Sequence, residues 1–307
     1  MVLVACARRP RRARHRGGRR SAPASAGLVL LVLAGACGGG DGDAAPTCAA
    51  AVTELGSLDG EGPSEASGLV RSRITEGVLW THNDRGRPAE LIAIDPAGRA
   101  LGTWPVQDAP NIDWEDLSIL GGPGQAELVV GDIGDNDAER ASVTIHYLTE
   151  PDPGEDPIVL RPVDTVELRY PDGPHDAEAL LVDGRSGEVG LVTKGDDAVL
   201  YVTDADPRAS VDQPIVLRKV GTVWSDAEVR AGAVSPDGGL VALRTVDGLR
   251  VWRDDGPALA RLVDRPSCTV VLEQKRAEGL AAPDAHTLIA VGEGKQASLF
   301  EVRLAED

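Results

Sequence analysis

Five short apolar segments recur about every 50 residues along the 307-residue chain. They read SGLVR (67–71), EDLSIL (115–120), EALLVD (178–183), AGAVSPD (231–237) and EGLAAPD (278–284). Self-similarity at this period belongs to units that cannot bury their apolar faces alone and must stack on copies of themselves. Each copy continues into a second apolar run that ends in polar residues: VLWTHND (78–84), LVVGD (128–132), VGLVTK (189–194), LVALR (240–244) and LIAVGE (288–293). Third strands are predicted at 90–94, 143–147, 199–202, 249–252 and 298–302. Fourth strands are predicted at 100–106, 165–170, 215–220 and 269–272. The runs are rich in Val, Leu and Ile and are bounded by Gly, Pro and Asp, which is strand and turn chemistry. The 36 glycines and 21 prolines suit many tight turns.

The last copy has no fourth strand of its own. Residues 51–58, AVTELGSL, supply one from the other end of the chain. Sharing a blade between the two ends closes a ring and removes the unpaired edges of an open array. The expected fold is therefore all-β: a β-propeller over 51–307, with five four-stranded blades and an N-terminal strand closing the last. Six blades is the alternative if 120–178 or 184–231 holds a further sheet, and a pair of β-sandwiches is the weaker rival. Cys48 sits beside the closing strand and Cys268 where the fourth copy passes into the fifth, so a disulfide between them is expected to staple the ring.

Residues 1–36 read as a targeting segment. Eight arginines and no acid precede a short apolar run at 27–36, and LAGAC (33–37) resembles a bacterial lipoprotein signal. That implies a mature chain lipidated at Cys37 and tethered through a Gly-, Asp- and Ala-rich linker at 37–50, with ordinary secretion as the alternative. Without residues 1–36 the formal charge moves from −18 to −26. Such a surface repels nucleic acid and anionic lipid headgroups. The expected setting is the cell envelope, with a monomeric protein that meets the membrane only through its anchor. Its expected partner is a small molecule or another envelope protein.

Antiparallel pairing of 115–120 with 127–131 brings the WED and GDIGDND clusters to one sheet edge. In a propeller, the innermost strands line an axial channel, and their starts share one mouth with the ends of the second strands. The predicted metal ligands are Glu65, Glu115, Glu178, Glu278, Asp132, Asp135 and Glu293. The predicted ligand-binding residues are His82, Asn83, Asp84, Trp114, Lys194 and Arg244. In this alignment Ala231 stands where the other copies have Glu, and Arg244 compensates by pointing into the ring. Convergent carboxylates repel unless a cation neutralises them, and Ca²⁺ or another divalent cation is the natural candidate among oxygen donors. The alternative is a solvated acidic channel. No nucleophile elbow, phosphate loop, zinc motif or dinucleotide fingerprint occurs, so no catalytic residue is assigned.

The SPDG turn (235–238) and the blade pattern resemble TolB- and WD40-type repeats. The segments EASGL (65–69), DWED (113–116), GDIGDN (131–136) and DAEAL (176–180) are similar to secreted bacterial propellers loosely grouped with phytase-like esterases. The resemblance covers about residues 60–305 and implies the architecture. It leaves two functions open: a lipid-anchored envelope propeller that binds a ligand or protein at its acidic mouth, and a metal-dependent hydrolase of phosphoesters or lactones working at the same mouth.

Overall fold

The computed structural model describes residues 30–31, 45–60, 62–210, 213–253, 258–272, 274 and 276–306. The expected targeting segment, apart from Leu30–Leu31, and Cys37 lie outside the described residues.

Five antiparallel sheets are arranged as a five-bladed β-propeller. Blade 1 comprises Ala66–Arg71, Leu79–Asn83, Glu90–Ile94 and Ala100–Pro105. Blade 2 comprises Trp114–Leu120, Glu127–Asp132, Val143–Thr149 and Asp164–Arg169. Blade 3 comprises Ala177–Val182, Val189–Thr193, Asp197–Val202 and Arg218–Ser225. Blade 4 comprises Ala231–Val234, Leu240–Arg244, Gly248–Arg253 and Cys268–Val271. Blade 5 comprises Ala277–Ala281, Thr287–Gly292, Ser298–Leu304 and the N-terminal strand Ala50–Ser57. The closing strand pairs antiparallel with Ser298–Leu304, from Ala50 opposite Leu304 to Ser57 opposite Ser298. Leu30–Leu31 adds a two-residue strand to its outer edge.

The core is divided into five apolar clusters, one in each cleft between neighbouring blades. Strand geometry explains why. Successive side chains point to opposite faces of a sheet. In Glu90–Ile94, Leu91 and Ala93 pack toward blade 2 while Ile92 and Ile94 pack toward blade 5. In Glu127–Asp132, Leu128 and Val130 pack toward blade 1 and Val129 toward blade 3. Both faces of a blade are buried, so these strands read as continuous apolar runs rather than as alternation.

The closure is tight. A Cβ on Gly98, whose φ is +91°, would lie 2.3 Å from the Ser57 carbonyl oxygen. A Cβ on Gly56 would lie 2.4 Å from that of Ala97. These two glycines let the closing strand lie directly against the outer hairpin of blade 1. Cys48 and Cys268 form a disulfide across a sequence separation of 220 residues. Thr269 flanks it, accepting from the Cys48 N–H at 2.8 Å and donating to the Pro46 carbonyl at 2.8 Å. The bridge thus ties the segment entering blade 5 to the outer strand of blade 4.

One strand differs from expectation. The segment at 215–220 was expected to form a single outer strand of blade 3. Instead Ile215–Val216 pairs parallel with Asp164–Arg169 of blade 2, and the outer strand of blade 3 begins at Arg218. The exposed edge of blade 2 explains the exchange: it offers unpaired backbone groups that Ile215–Val216 satisfies. Leu217, buried in the cleft between the two blades, anchors the crossover.

Candidate functional site

The first strand of each blade borders the axis, and a local irregularity there aims one side chain into the mouth. Pairing skips a residue between Trp114 and Asp116, between Ala177 and Ala179, and between Ala277 and Gly279. The skipped residues are Glu115, Glu178 and Glu278. A bulged residue of this kind is turned out of the ladder, which re-aims its side chain. All three line a cavity of about 170 Å³ at the mouth.

Ser67 of blade 1 lines the same cavity and gives its hydroxyl hydrogen to the Glu115 carbonyl. In blade 4 the place is taken by Arg230, not by Ala231 as the sequence alignment would have it. Gly232 pairs with Leu243, which faces the preceding blade, and Leu280 pairs with Ala290, which does likewise. Gly232 therefore corresponds to Leu280, and Arg230 to Glu278. The axial ring is Ser67, Glu115, Glu178, Arg230 and Glu278, with Asp84, Arg85, Asn136, Lys194 and Glu293 around it.

Below this ring lies Asp116, fully buried. Its carboxylate accepts backbone N–H groups from Leu117 at 2.9 Å, Leu180 at 2.8 Å and Gly232 at 3.0 Å. These occupy one register position in blades 2, 3 and 4. Innermost strands leave such groups unpaired on the axial side, and one carboxylate gathers three of them. Asp116 thereby lies between the carboxylate-lined cavity and the opposite end of the axis.

Three carboxylates converge at the mouth. Asp84, Asp113 and Glu115 each place an oxygen within 4.8 Å of the others. Asp113 is buried, and its Oδ1 accepts no hydrogen bond from the described residues; Arg85 Nε lies 3.8 Å from it. Burial pushes the Asp84, Asp113 and Glu115 carboxyls above their ordinary range, and neighbouring carboxylates add to the rise. Glu278 is pushed up to about 8, mainly by burial and then by Glu178. The loop after Asp132 covers this triad closely. A Cβ on Gly134 would lie 2.4 Å from Glu115 Oε1 and 2.6 Å from Asp113 Oδ2, so any larger residue would displace both carboxyl groups.

The other residues singled out in the sequence fall into distinct places. Lys194 reaches the cavity, where its ammonium donates to Glu178 and lies 3.8 Å from Asp176. Arg230 Nη1 is 3.8 Å from the same Glu178 oxygen. Glu293 lines the cavity and pairs with Arg276 at 3.3 Å. Glu65 does not line it; it pairs with Arg87 at 2.6 Å at the rim. Asp132 is buried on Arg140, at 2.8 Å, and accepts the Asp113 N–H at 3.0 Å. Asp135 accepts the N–H groups of Glu139 and Arg140, both at 2.9 Å. Those two carboxylates are spent on folding their own loop.

Arg244 does not point into the ring. It is fully buried between blades 4 and 5, donating to the Gly279 and Val291 carbonyls and to the Gln274 side chain. His82 and Trp114 are also fully buried, edge to face at 5.5 Å. Burial holds the His82 imidazole down to about 4. Asn83 accepts the Ser64 and Glu65 N–H groups at 2.9 and 3.1 Å, which shapes the loop before blade 1.

Fold and site together define a five-bladed propeller with a polar, carboxylate-rich axial mouth. No family model matches the chain, and no curated protein does. Among solved structures, similarity is found to a chain of Kuenenia stuttgartiensis hydrazine synthase, at 9% identity and a TM-score of 0.42. It covers 76% of this chain and 71% of that one. A structure of U3-55K matches at 12% identity and a TM-score of 0.40, covering 78% and 68%. At such scores the propeller assignment rests on this chain's own five sheets.

Proposed function

We propose that this protein is a lipid-anchored propeller of the cell envelope that binds a polar ligand or partner through a divalent cation, Ca²⁺ foremost, at its axial mouth. The observation that carries the reading is the Asp84, Asp113 and Glu115 triad, with a buried Asp113 oxygen that no described residue hydrogen-bonds. The donors are all hard oxygens, which suits Ca²⁺ and leaves room for water or a ligand to complete its shell. Lys194 and Arg230 stand on Glu178 in the same cavity lining. They add a cationic edge where an anionic group of the ligand would rest.

Binding is preferred over hydrolysis for a specific reason. Lys194 and Arg244 are the cations the sequence offers for a phosphoester or lactone. Arg244 is buried away from the mouth, so of that pair Lys194 alone faces it.

Calorimetric titration of Ca²⁺ into chelator-stripped protein at pH 7 tests the reading. The account expects saturable binding with proton release, seen as heat that depends on the buffer's ionisation enthalpy, because carboxyls with raised pKa values lose protons to the cation. Asp113→Asn should abolish it. Absence of saturable binding in the parent, or full binding in the variant, would sink the proposal.

A further inference from the structure

The propeller has a second mouth at the other end of its axis, beyond the Asp116 layer. There the innermost strands of blades 1, 2, 4 and 5 end around a cavity of about 400 Å³, within the ~300–1,000 Å³ typical of small-molecule sites. Its chemistry is unlike that of the acidic mouth. Leu69, Leu117 and Leu280 line it, together with the small residues Gly232, Ala233 and Ala281. Ala233 and Ala281 help to explain the hollow, since their register position in blade 3 carries Leu181, and Gly232 stands where blade 3 carries Leu180.

Polar side chains interrupt the apolar lining: Ser118 and Arg73, with Arg71, Ser72 and Glu76 beside them, where Arg71 lies 4.0 Å from the exposed Glu76. Ser118 is only 8% exposed, and its hydroxyl makes no hydrogen bond to any described residue. Arg73, in the turn after the first strand of blade 1, is partly desolvated, and no described residue hydrogen-bonds or ion-pairs with its guanidinium. The acid nearest to it in charge, Glu150, is already taken. Its carboxylate accepts the Trp80 indole N–H at 2.9 Å and the backbone N–H of Arg73 itself at 3.2 Å. A guanidinium that no described carboxylate hydrogen-bonds, beside a hollow with apolar walls, is matched by an anion that brings its own apolar body, since the planar fork takes a carboxylate through two parallel hydrogen bonds.

We propose that this second mouth binds a small anionic amphiphile, a monocarboxylate with an apolar tail, its carboxylate on Arg73 and its tail against Leu69, Leu117 and Leu280. The Ser118 hydroxyl donates a further hydrogen bond to the ligand. The site is independent of the cation at the acidic mouth, so the two proposals stand or fall separately.

The probe is octanoate, titrated calorimetrically into the protein in the presence of a metal chelator, with octylamine as the control of equal length and opposite charge. The expected result is saturable octanoate binding, at least tenfold tighter than octylamine. Arg73→Met keeps the apolar stem and removes the charge, and it should weaken octanoate at least tenfold while leaving the melting temperature unchanged. Ser118→Leu fills the hollow with the side chain that blade 3 carries at this register, and it should abolish binding. Should Ser118→Leu fail to fold, Ser118→Ala replaces it, with a smaller loss of octanoate affinity expected. No saturable octanoate binding, equal affinity for octylamine, or unchanged octanoate affinity in Arg73→Met would each overturn the proposal.

Discussion

The Asp116 carboxylate of blade 2 accepts the backbone N–H of Gly232 in blade 4, 3.0 Å away and 116 residues further along the chain. The same oxygen accepts from Leu180 in blade 3. One side chain therefore links three blades at the axis, where a propeller otherwise has only unpaired strand edges.

Replacing Asp116 by Ala removes the acceptor from three buried amides at once. An unsatisfied buried polar group costs ~1–3 kcal/mol, so the variant should lose at least about 2 kcal/mol of stability. Asp116→Asn keeps an acceptor oxygen and should lose less. Urea denaturation of the three proteins checks the order. Equal stability of Asp116→Ala and the parent would contradict a structural role for this layer.

The Cys48–Cys268 disulfide closes a loop of 220 residues. Removing a native bridge of this kind typically costs ~2–5 kcal/mol. The double Ser variant should melt lower by several degrees, and reductant should lower the parent's melting temperature to match. A reductant-insensitive melting temperature would contradict the assignment of the bridge to ring closure.

Stability without a cation should depend on pH in a particular way. Burial pushes the Glu278 carboxyl up to about 8 in the fold from its ordinary 4.5 when unfolded, and Glu115 is displaced in the same direction. Between those values the folded state holds more protons than the unfolded state, so stability falls as pH rises through this window. Buried His82 and His146, held down to about 4, act oppositely below their ordinary 6.5. In chelator, the melting temperature should therefore rise as pH falls from 8.5 to 6.5, and the gain should stop or reverse below. Glu278→Gln should remove part of the upper slope. A melting temperature that climbs steadily from pH 6.5 to 8.5 would contradict the buried-carboxylate account.

Gly134 carries no chemistry, yet it sets how closely the loop covers Asp113 and Glu115. Gly134→Ala puts a methyl group into contacts of 2.4–2.6 Å with both carboxyl groups. Overpacking of this sort costs ~1–3 kcal/mol. The variant should also bind Ca²⁺ at least tenfold more weakly, measured by calorimetry, because the triad must open to admit the methyl group. Unchanged affinity would place the cation elsewhere.

Blade number, strand order, ring closure and the disulfide were legible in the sequence because each follows from repetition and from unpaired edges. The bulged Glu115, Glu178 and Glu278 were legible as the leading acids of their repeats. Three features were not. The fourth repeat slips by one residue: its Gly and its Pro-Asp pair align with EGLAAPD by identity, whereas strand pairing matches Gly232 to Leu280. The slip hides Arg230 and makes Arg244 look axial. The internal use of Asp132 and Asp135 was also hidden, since a loop that satisfies its own amides looks the same in sequence as one that holds a cation. The exchange of Ile215–Val216 to blade 2 depends on which edge lies nearer, and that is a matter of three dimensions.

The most direct test of the cation-bearing mouth is scanning calorimetry of the parent and of Glu115→Gln, each in chelator and in millimolar Ca²⁺. A ligand present at a hundred times its Kd stabilises the native state by ~2.7 kcal/mol, which for a domain of this size corresponds to roughly 5–10 °C. The account predicts a shift of that order in the parent, little or none in Glu115→Gln, and an apo variant at least as stable as the apo parent, because one repelling charge has gone. An equal Ca²⁺ shift in both proteins, or none in either, would mean that Asp84, Asp113 and Glu115 form a solvated acidic channel and not a metal site.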